Sequence, residues 1–213
     1  FSSSIIDRQK DIPDVVGISI LFSTSYNSSM MIAELAKKKW PHAVVVIGGV
    51  AATHSYKKIL TNQVVDYVIR GEAEIAFTQL VQSINSDHNN IVDIDGVIDQ
   101  TKLSTGSSRM ASMVDNLDDI PIPAYDLLDM DLYVKEDRVA MMFSRGCPFK
   151  CTFCASPSVH GHGIRERSNE KIKGEIAYLI DHWGIKSLTV YDDLIAANRK
   201  KFLELSNYLK QLD

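Results

Sequence analysis

Three short runs rich in β-branched residues, "DVVGISILF", "AVVVIGG" and "VDYVIRG", are each followed by a longer stretch that is apolar on one side only. Continuous apolar runs of this length suit strands buried on both faces, and the intervening stretches suit helices. Such strand–helix alternation is satisfied by a parallel sheet with helices packed on both sides, so the fold class is α/β. The first helix is expected in "NSSMMIAELAKKKW", with Asn27 or Ser28 as cap and Met31, Ile32, Leu35 and Ala36 as its apolar stripe; Pro41 ends it. Helices are expected again in "ATHSYKKILTN" and in "EAEIAFTQLVQSIN", whose early acids favour a helix N-terminus.

The alternation then breaks. Residues 91–135 carry turn chemistry, with Asp95-Gly96 suited to a tight hairpin and Pro121 and Pro123 in "NLDDIPIPAYDLLDMDLY". They read as a linker with short strands packed against the surface. A second series follows: a strand in "RVAMMFSRG", a helix in "SNEKIKGEIAYLIDHWG" bounded by Ser168 or Asn169 and by Gly184, a strand in "IKSLTVYDD" and a helix in "NRKKFLELSNYLKQL". The expected organisation is an N-terminal domain over residues 1–90, the linker 91–135, and the beginning of a second domain over 136–213. With no initiator Met at the start and a helical pattern at the end, a piece of a longer protein is expected.

Composition narrows the function classes. With 45% hydrophobic and 23% charged residues the chain is of globular type. A net charge of -4 lacks the basic excess of a nucleic-acid binder, so a small-molecule substrate is expected rather than nucleic acid. No apolar run reaches the roughly 20 residues that span a bilayer. All three cysteines are clustered, without distant partners for a disulfide framework, which suits a reducing cytoplasm.

Those cysteines, Cys147, Cys151 and Cys154, lie in "SRGCPFKCTFCASP" with C-x3-C-x2-C spacing. Three thiolates on one loop can hold three metal positions and leave a fourth open. Zinc is one alternative, with His160 or His162 as a fourth ligand, in a metal-stabilised binding module. Zinc cysteines more often come as two spaced pairs, whereas this spacing directly after a buried strand suits a cubane cluster.

"RGCPFKCTFC" resembles the cluster loop of the radical S-adenosylmethionine (SAM) enzymes, in which an aromatic precedes the last cysteine. The resemblance implies that Cys147, Cys151 and Cys154 bind a [4Fe-4S] cluster whose remaining iron chelates SAM, with Phe153 beside the adenine. It implies a partial (β/α)6 barrel with its site at the strand C-terminal ends. Asp192 and Asp193, at the end of the next strand, are candidates for the SAM ammonium, and Arg165 and Arg167 for its carboxylate. Capping acids and solvated arginines are the plain structural alternatives.

The first domain adds a second resemblance. "VVGISILFSTSYNSS" and "VVVIGGVAAT" are similar to the Rossmann-like (flavodoxin-like) cobalamin-binding domain of a large radical SAM class. Ser19-Ile20-Leu21 matches its S-x-L motif and Gly48-Gly49 its G-G motif; Gly71 and Glu72 resemble the end of the domain. These positions follow strands, where doubly wound sheets bind ligands, and glycine lets backbone approach a ligand closely. Ser19, Ser23, Thr24 and Ser25 offer hydroxyls to a nucleotide tail. The D-x-H-x-x-G motif that supplies a cobalt ligand in some members is not in these 213 residues; the expectation is that it precedes residue 1 together with its strand, or that the protein is one of the members without it. A domain that only buttresses the barrel is the alternative reading.

Together the resemblances imply a cobalamin-dependent radical SAM enzyme. Its expected chemistry is methyl transfer to an unactivated carbon through a 5'-deoxyadenosyl radical, with an electron donor such as flavodoxin or ferredoxin. A radical SAM oxidoreductase, cyclase or methylthiotransferase without working cobalamin is the second reading.

Overall fold

The structure is a computed structural model that describes residues 6, 10–86 and 93–212. It divides into two compact units, Phe1–Met113 and Val114–Asp213. The sequence-based boundary at residue 90 lies outside the described residues. Residues 91–135 are shared between the units: Val97–Ile98 forms a strand of the first, whereas Leu117 and Tyr125 are buried in the second.

The first unit is a four-stranded sheet in the order β1 (Val15–Ser19), β2 (Val44–Gly48), β3 (Tyr67–Ile69), β4 (Val97–Ile98). The first three strands are parallel, with Ser19 opposite Gly48, and β4 is antiparallel to β3. Helix α1 (Tyr26–Lys39) joins β1 to β2, α2 (Val50–Leu60) joins β2 to β3, and α3 (Glu74–Ser86) follows β3. Each step from β1 to β3 moves the same way across the sheet, and right-handed crossovers then put α1 and α2 on one face. Side-chain alternation divides the core accordingly. Val45, Ile47, Val68 and Ile98 pack with Met30 and Ala33 of α1 and with Ala52, Ile59 and Leu60 of α2. Val46, Ile69 and Val97 pack with Ala76, Leu80 and Ile84 of α3.

Two local expectations are corrected. The α1 stripe is wider than expected and centred on other residues: Ser29, Met30, Ala33 and Ala36 are buried, Ile32 and Leu35 are half-buried in the cluster around Ala36, and Met31 is exposed. The cap is Ser25, not Asn27 or Ser28, because a 3-10 turn over Ser23–Ser25 runs straight into the helix. Asp95-Gly96 does turn the chain, but β4 pairs with β3 and not with an adjoining strand. A short helix α4 (Gln100–Thr105), capped by the Asp99 side chain and Gly106, closes the unit.

In the second unit, a short helix α5 (Met130–Lys135) precedes β5 (Ala140–Met141). Strand β5 pairs in parallel with β8 (Thr189–Val190), and α7 (Asn169–Trp183) lies between them in sequence. The single strand expected in "RVAMMFSRG" is in fact two pieces. β6 (Ser144–Arg145) leaves β5 to pair antiparallel with β7 (Arg165–Glu166), so residues 146–164 form a closed excursion containing α6 (Pro157–His160). Ser168 caps α7 through the Lys171 N–H, and Gly184 ends it at φ +62°. Ile172, Ile176 and Leu179 of α7 form the core with Met141, Phe143, Tyr125 and Leu205, the last from the terminal helix α8 (Arg199–Leu209). Among the described residues no helix is long and apolar enough to cross a membrane.

Candidate functional site

The first unit brings the cobalamin-motif residues to one end of its sheet. Ser19, Gly48 and Gly71 follow or end three adjacent parallel strands, at the edge where ligands bind in open α/β sheets. The loops are held to one another by backbone. Ile20 N–H donates to the Gly48 carbonyl at 2.8 Å, and Ala51 N–H donates to the Ile20 carbonyl at 3.0 Å.

The two glycines do different work. Gly49 has φ +100° and ψ 172°, and a Cβ there would lie 2.7 Å from the Ile20 carbonyl oxygen. Gly48 has nothing within 4 Å of the position a Cβ would take. Gly49 therefore makes the turn, and Gly48 leaves bare backbone beneath open space. Ser19 is exposed beside it, Leu21 is 54% exposed, and Glu72 is buried.

Thr53, which sequence reading passed over, ties the β2 and β3 loops together. It is 1% exposed; its hydroxyl donates to the Gly49 carbonyl and accepts the Gly71 N–H, both at 3.0 Å. A threonine within a helical stretch gives no sequence signal for such a bridge. A cavity of about 260 Å³ lies beside this end, lined by Ile20, Ser23, Tyr26, Asn27 and Lys58 among others. Of the four hydroxyls expected to serve a ligand, Ser25 is committed to the Phe22 carbonyl at 2.8 Å.

In the second unit, all three thiols are free: Cys147 is half-buried, and Cys151 and Cys154 are exposed. Among the described residues no three His, Cys, Asp or Glu side chains are gathered as for a metal ion. The donor set fits a cluster chemically, three thiolates with no disulfide among them, whereas the loop has not drawn its sulfurs together. Phe153 sits at the loop's tip, 90% exposed. The foot of the loop is tightly built. Gly146 has φ +87°, and a Cβ there would fall 2.2 Å from the Gly163 carbonyl oxygen, so only glycine lets the two ends of the excursion meet.

The other four SAM candidates face protein groups. Arg165 donates to the Val114 carbonyl at 2.6 Å and lies 3.5 Å from the His160 carbonyl. Arg167 forms a 2.5 Å ion pair with Glu175, which is 1% exposed and also accepts the Tyr125 hydroxyl at 2.6 Å. Burial, the hydrogen bond to Glu175 and the Glu175 charge push the Tyr125 hydroxyl above the ordinary phenol range; Arg167 offsets this in part. Asp192 accepts the Phe143 N–H at 2.7 Å and the Ser144 hydroxyl at 2.6 Å. Asp193 accepts the Gly146 N–H at 3.2 Å and the Ser156 hydroxyl at 2.5 Å. The structure thus turns both acids toward the foot of the cysteine loop. Ser144, Ser156 and Tyr125 were not singled out by sequence, because their partners lie far along the chain; Glu175 has one partner eight residues away and the other, Tyr125, fifty.

A parallel α/β unit with its loops open at the strand ends, followed by a β–α–β unit carrying a three-thiol excursion, defines a cofactor-binding architecture. Residues 2–81 match the B12 binding domain family. The chain is 34% identical over 206 residues to an uncharacterised methyltransferase of Pyrococcus horikoshii, covering 93% of this chain and 44% of that protein. It is 31% identical over 232 residues to the cytidylyl-2-hydroxyethylphosphonate methyltransferase of Streptomyces wedmorensis, covering 94% and 43%. Among solved structures, the radical SAM methyltransferase TsrM of Kitasatospora setae, with cobalamin and a [4Fe-4S] cluster bound, superposes with a TM-score of 0.72 at 16% identity, over 97% of this chain and 42% of that one. Residues 2–81 thus carry the B12-binding domain, and the chain's relatives include a cobalamin-dependent radical SAM methyltransferase of Streptomyces tokunonensis, 26% identical over 177 residues. The chain spans less than half the length of these relatives.

Proposed function

We propose that this chain is the cobalamin-binding and cluster-binding part of a radical SAM methyltransferase acting on a small molecule. The observation that carries the reading is the placement of every cysteine of the chain, none of them in a disulfide, on one excursion that begins shortly after the C-terminal end of the parallel strand β5. Active sites of parallel α/β barrels occupy that end, and the β5–α7–β8 unit is the start such a barrel requires. When bound, the cluster with SAM supplies radical initiation and cobalamin supplies methyl carriage.

The protein's own part is to bind and orient. Cys147, Cys151 and Cys154 provide the thiolates, and Phe153 provides an exposed flat face for the adenine. In the other unit Ser19, Leu21 and the bare Gly48 backbone form the floor for cobalamin, with Gly49, Gly71 and Glu72 shaping its loops. The cavity beside Ser23 takes the nucleotide tail. The 31% and 34% identities to two proteins named as methyltransferases favour methyl transfer over other radical chemistry. A cytoplasmic location and a flavodoxin- or ferredoxin-type electron donor complete the proposal, since radical initiation needs one electron per event.

The test is elemental analysis of the full-length protein, purified without oxygen from cells supplied with cobalamin. About four irons and one cobalt per chain are expected. Iron without cobalt would replace the methyltransferase with a cobalamin-free radical enzyme, and zinc alone would overturn the reading.

A further inference from the structure

We propose that Asp192 and Asp193 are positioning residues of the cysteine loop, which hold both of its feet from the neighbouring strand and do not bind SAM. The inference rests on the cluster-loop reading above. The two acids directly follow β8. Asp192 spends one oxygen on the Phe143 N–H and the other on the Ser144 hydroxyl. Asp193 spends one oxygen on the Gly146 N–H, immediately before Cys147, and on the Ser156 hydroxyl, two residues after Cys154. One dipeptide therefore pins the incoming and the outgoing strand of the same loop, 37 to 49 residues away in sequence.

Between those feet the loop has little to hold it. A hydrogen bond from Cys154 N–H to the Cys151 carbonyl, 3.1 Å long, turns its tip, while Phe149 and Phe153 project outward. A loop fixed at both feet samples fewer conformations than one fixed at its start alone, which lowers the entropy lost when three thiolates converge on one cluster. Charge argues the same way. A carboxylate open toward three thiolates would repel them; here the bonded carboxylate oxygens accept N–H and O–H donors from the loop's own feet.

The experiment uses the full-length protein, reconstituted with iron and sulfide without oxygen, as wild type and as Asp193→Ala, Asp193→Asn and Ser156→Ala. Iron per chain is counted, and the reduced cluster's electron paramagnetic resonance spectrum is recorded with and without SAM. Hydrogen exchange across residues 143–156 is followed in the metal-free chains, with overall unfolding as the control for folding. Asp193→Ala is expected to lose at least threefold in iron retained and to exchange the Gly146 amide at least tenfold faster. Asp193→Asn, whose amide oxygen can accept the same two bonds, should restore most of both. Ser156→Ala removes a single bond on a partly exposed residue and should shed iron to a chelator severalfold faster without unfolding. Every chain that keeps its cluster should keep the SAM-induced spectral change. An Asp193→Ala protein with full iron and no SAM-induced change would make the carboxylate a SAM ligand and overturn the inference. Unchanged iron and unchanged exchange would overturn it as well. If the wild type binds no iron, the cluster reading fails, and the exchange rates still decide whether the clamp exists.

Discussion

Replacing Arg167 by Leu tests whether this side chain belongs to the interior or to a ligand. Its side chain is 13% exposed and pairs at 2.5 Å with a Glu175 side chain that is 2% exposed. Removing one member of a buried pair strands the other charge, at a cost of about 3–5 kcal/mol. With a urea dependence of about 2 kcal/mol per molar, the midpoint should fall by about 2 M. Trp183 packs edge-on against Tyr125 and Tyr178, so its fluorescence reports this unit once Trp40 is replaced by Phe. The matching control is the triple change Arg167→Leu, Glu175→Leu, Tyr125→Phe, which removes both charges and the hydroxyl that would otherwise lose its acceptor. Apolar replacement of a whole buried pair is often neutral, so the triple variant should return to within about 1 kcal/mol of wild type. An Arg167→Leu cost below about 1 kcal/mol, or a triple variant as unstable as the single one, would refute the reasoning and reopen Arg167 as a ligand for SAM.

Thr53→Val keeps the shape but orphans the Gly71 N–H, and should destabilise the first unit by about 1–3 kcal/mol in urea unfolding followed by Trp40 fluorescence. Gly49→Ala should cost about 1–3 kcal/mol from backbone strain alone at φ +100°, before any clash with the Ile20 carbonyl. Gly48→Ala has room for its methyl group and should leave stability unchanged, while cobalamin binding by the full-length protein, read by absorbance, should weaken. Tyr125 ionises more readily in the unfolded chain, near pH 10, than in the folded one. The stability it contributes is therefore present below pH 10 and lost as pH rises through its higher folded value. Tyr125→Phe should flatten that alkaline loss in urea midpoints measured from pH 8 upward.

The cysteine loop was legible in sequence because three thiols at fixed spacing have few chemical uses, and no folding is needed to bring neighbours in sequence together. The strand and helix series was legible for a similar reason, since periodicity is a local property. The buried stripe of α1 was not. Its methionines and leucine allow two overlapping stripes; contact with the sheet and the nearby helices buries Met30 and Ala33, while Ala36 is buried in a second cluster with Ile32 and Leu35 at its edge. Nor was the extent of "RVAMMFSRG" as a strand, because Ser144–Arg145 finds its partner at Arg165–Glu166 and not beside β8.

Asp192, Asp193, Arg165 and Arg167 show the boundary most clearly. By itself the sequence determined that charged groups stand near the end of a strand and beside a thiol loop. A carboxylate is equally suited to an ammonium or to two backbone amides, and a guanidinium to a ligand or to a buried glutamate. Only the tertiary structure decided, by bringing Phe143, Gly146 and Ser156 to the acids across 37 to 49 residues of chain and by turning Glu175 of α7 to Arg167 just before that helix. The physical reason is that a buried or half-buried charge must find its compensating partner in space, and spatial neighbours distant in sequence leave no periodic trace.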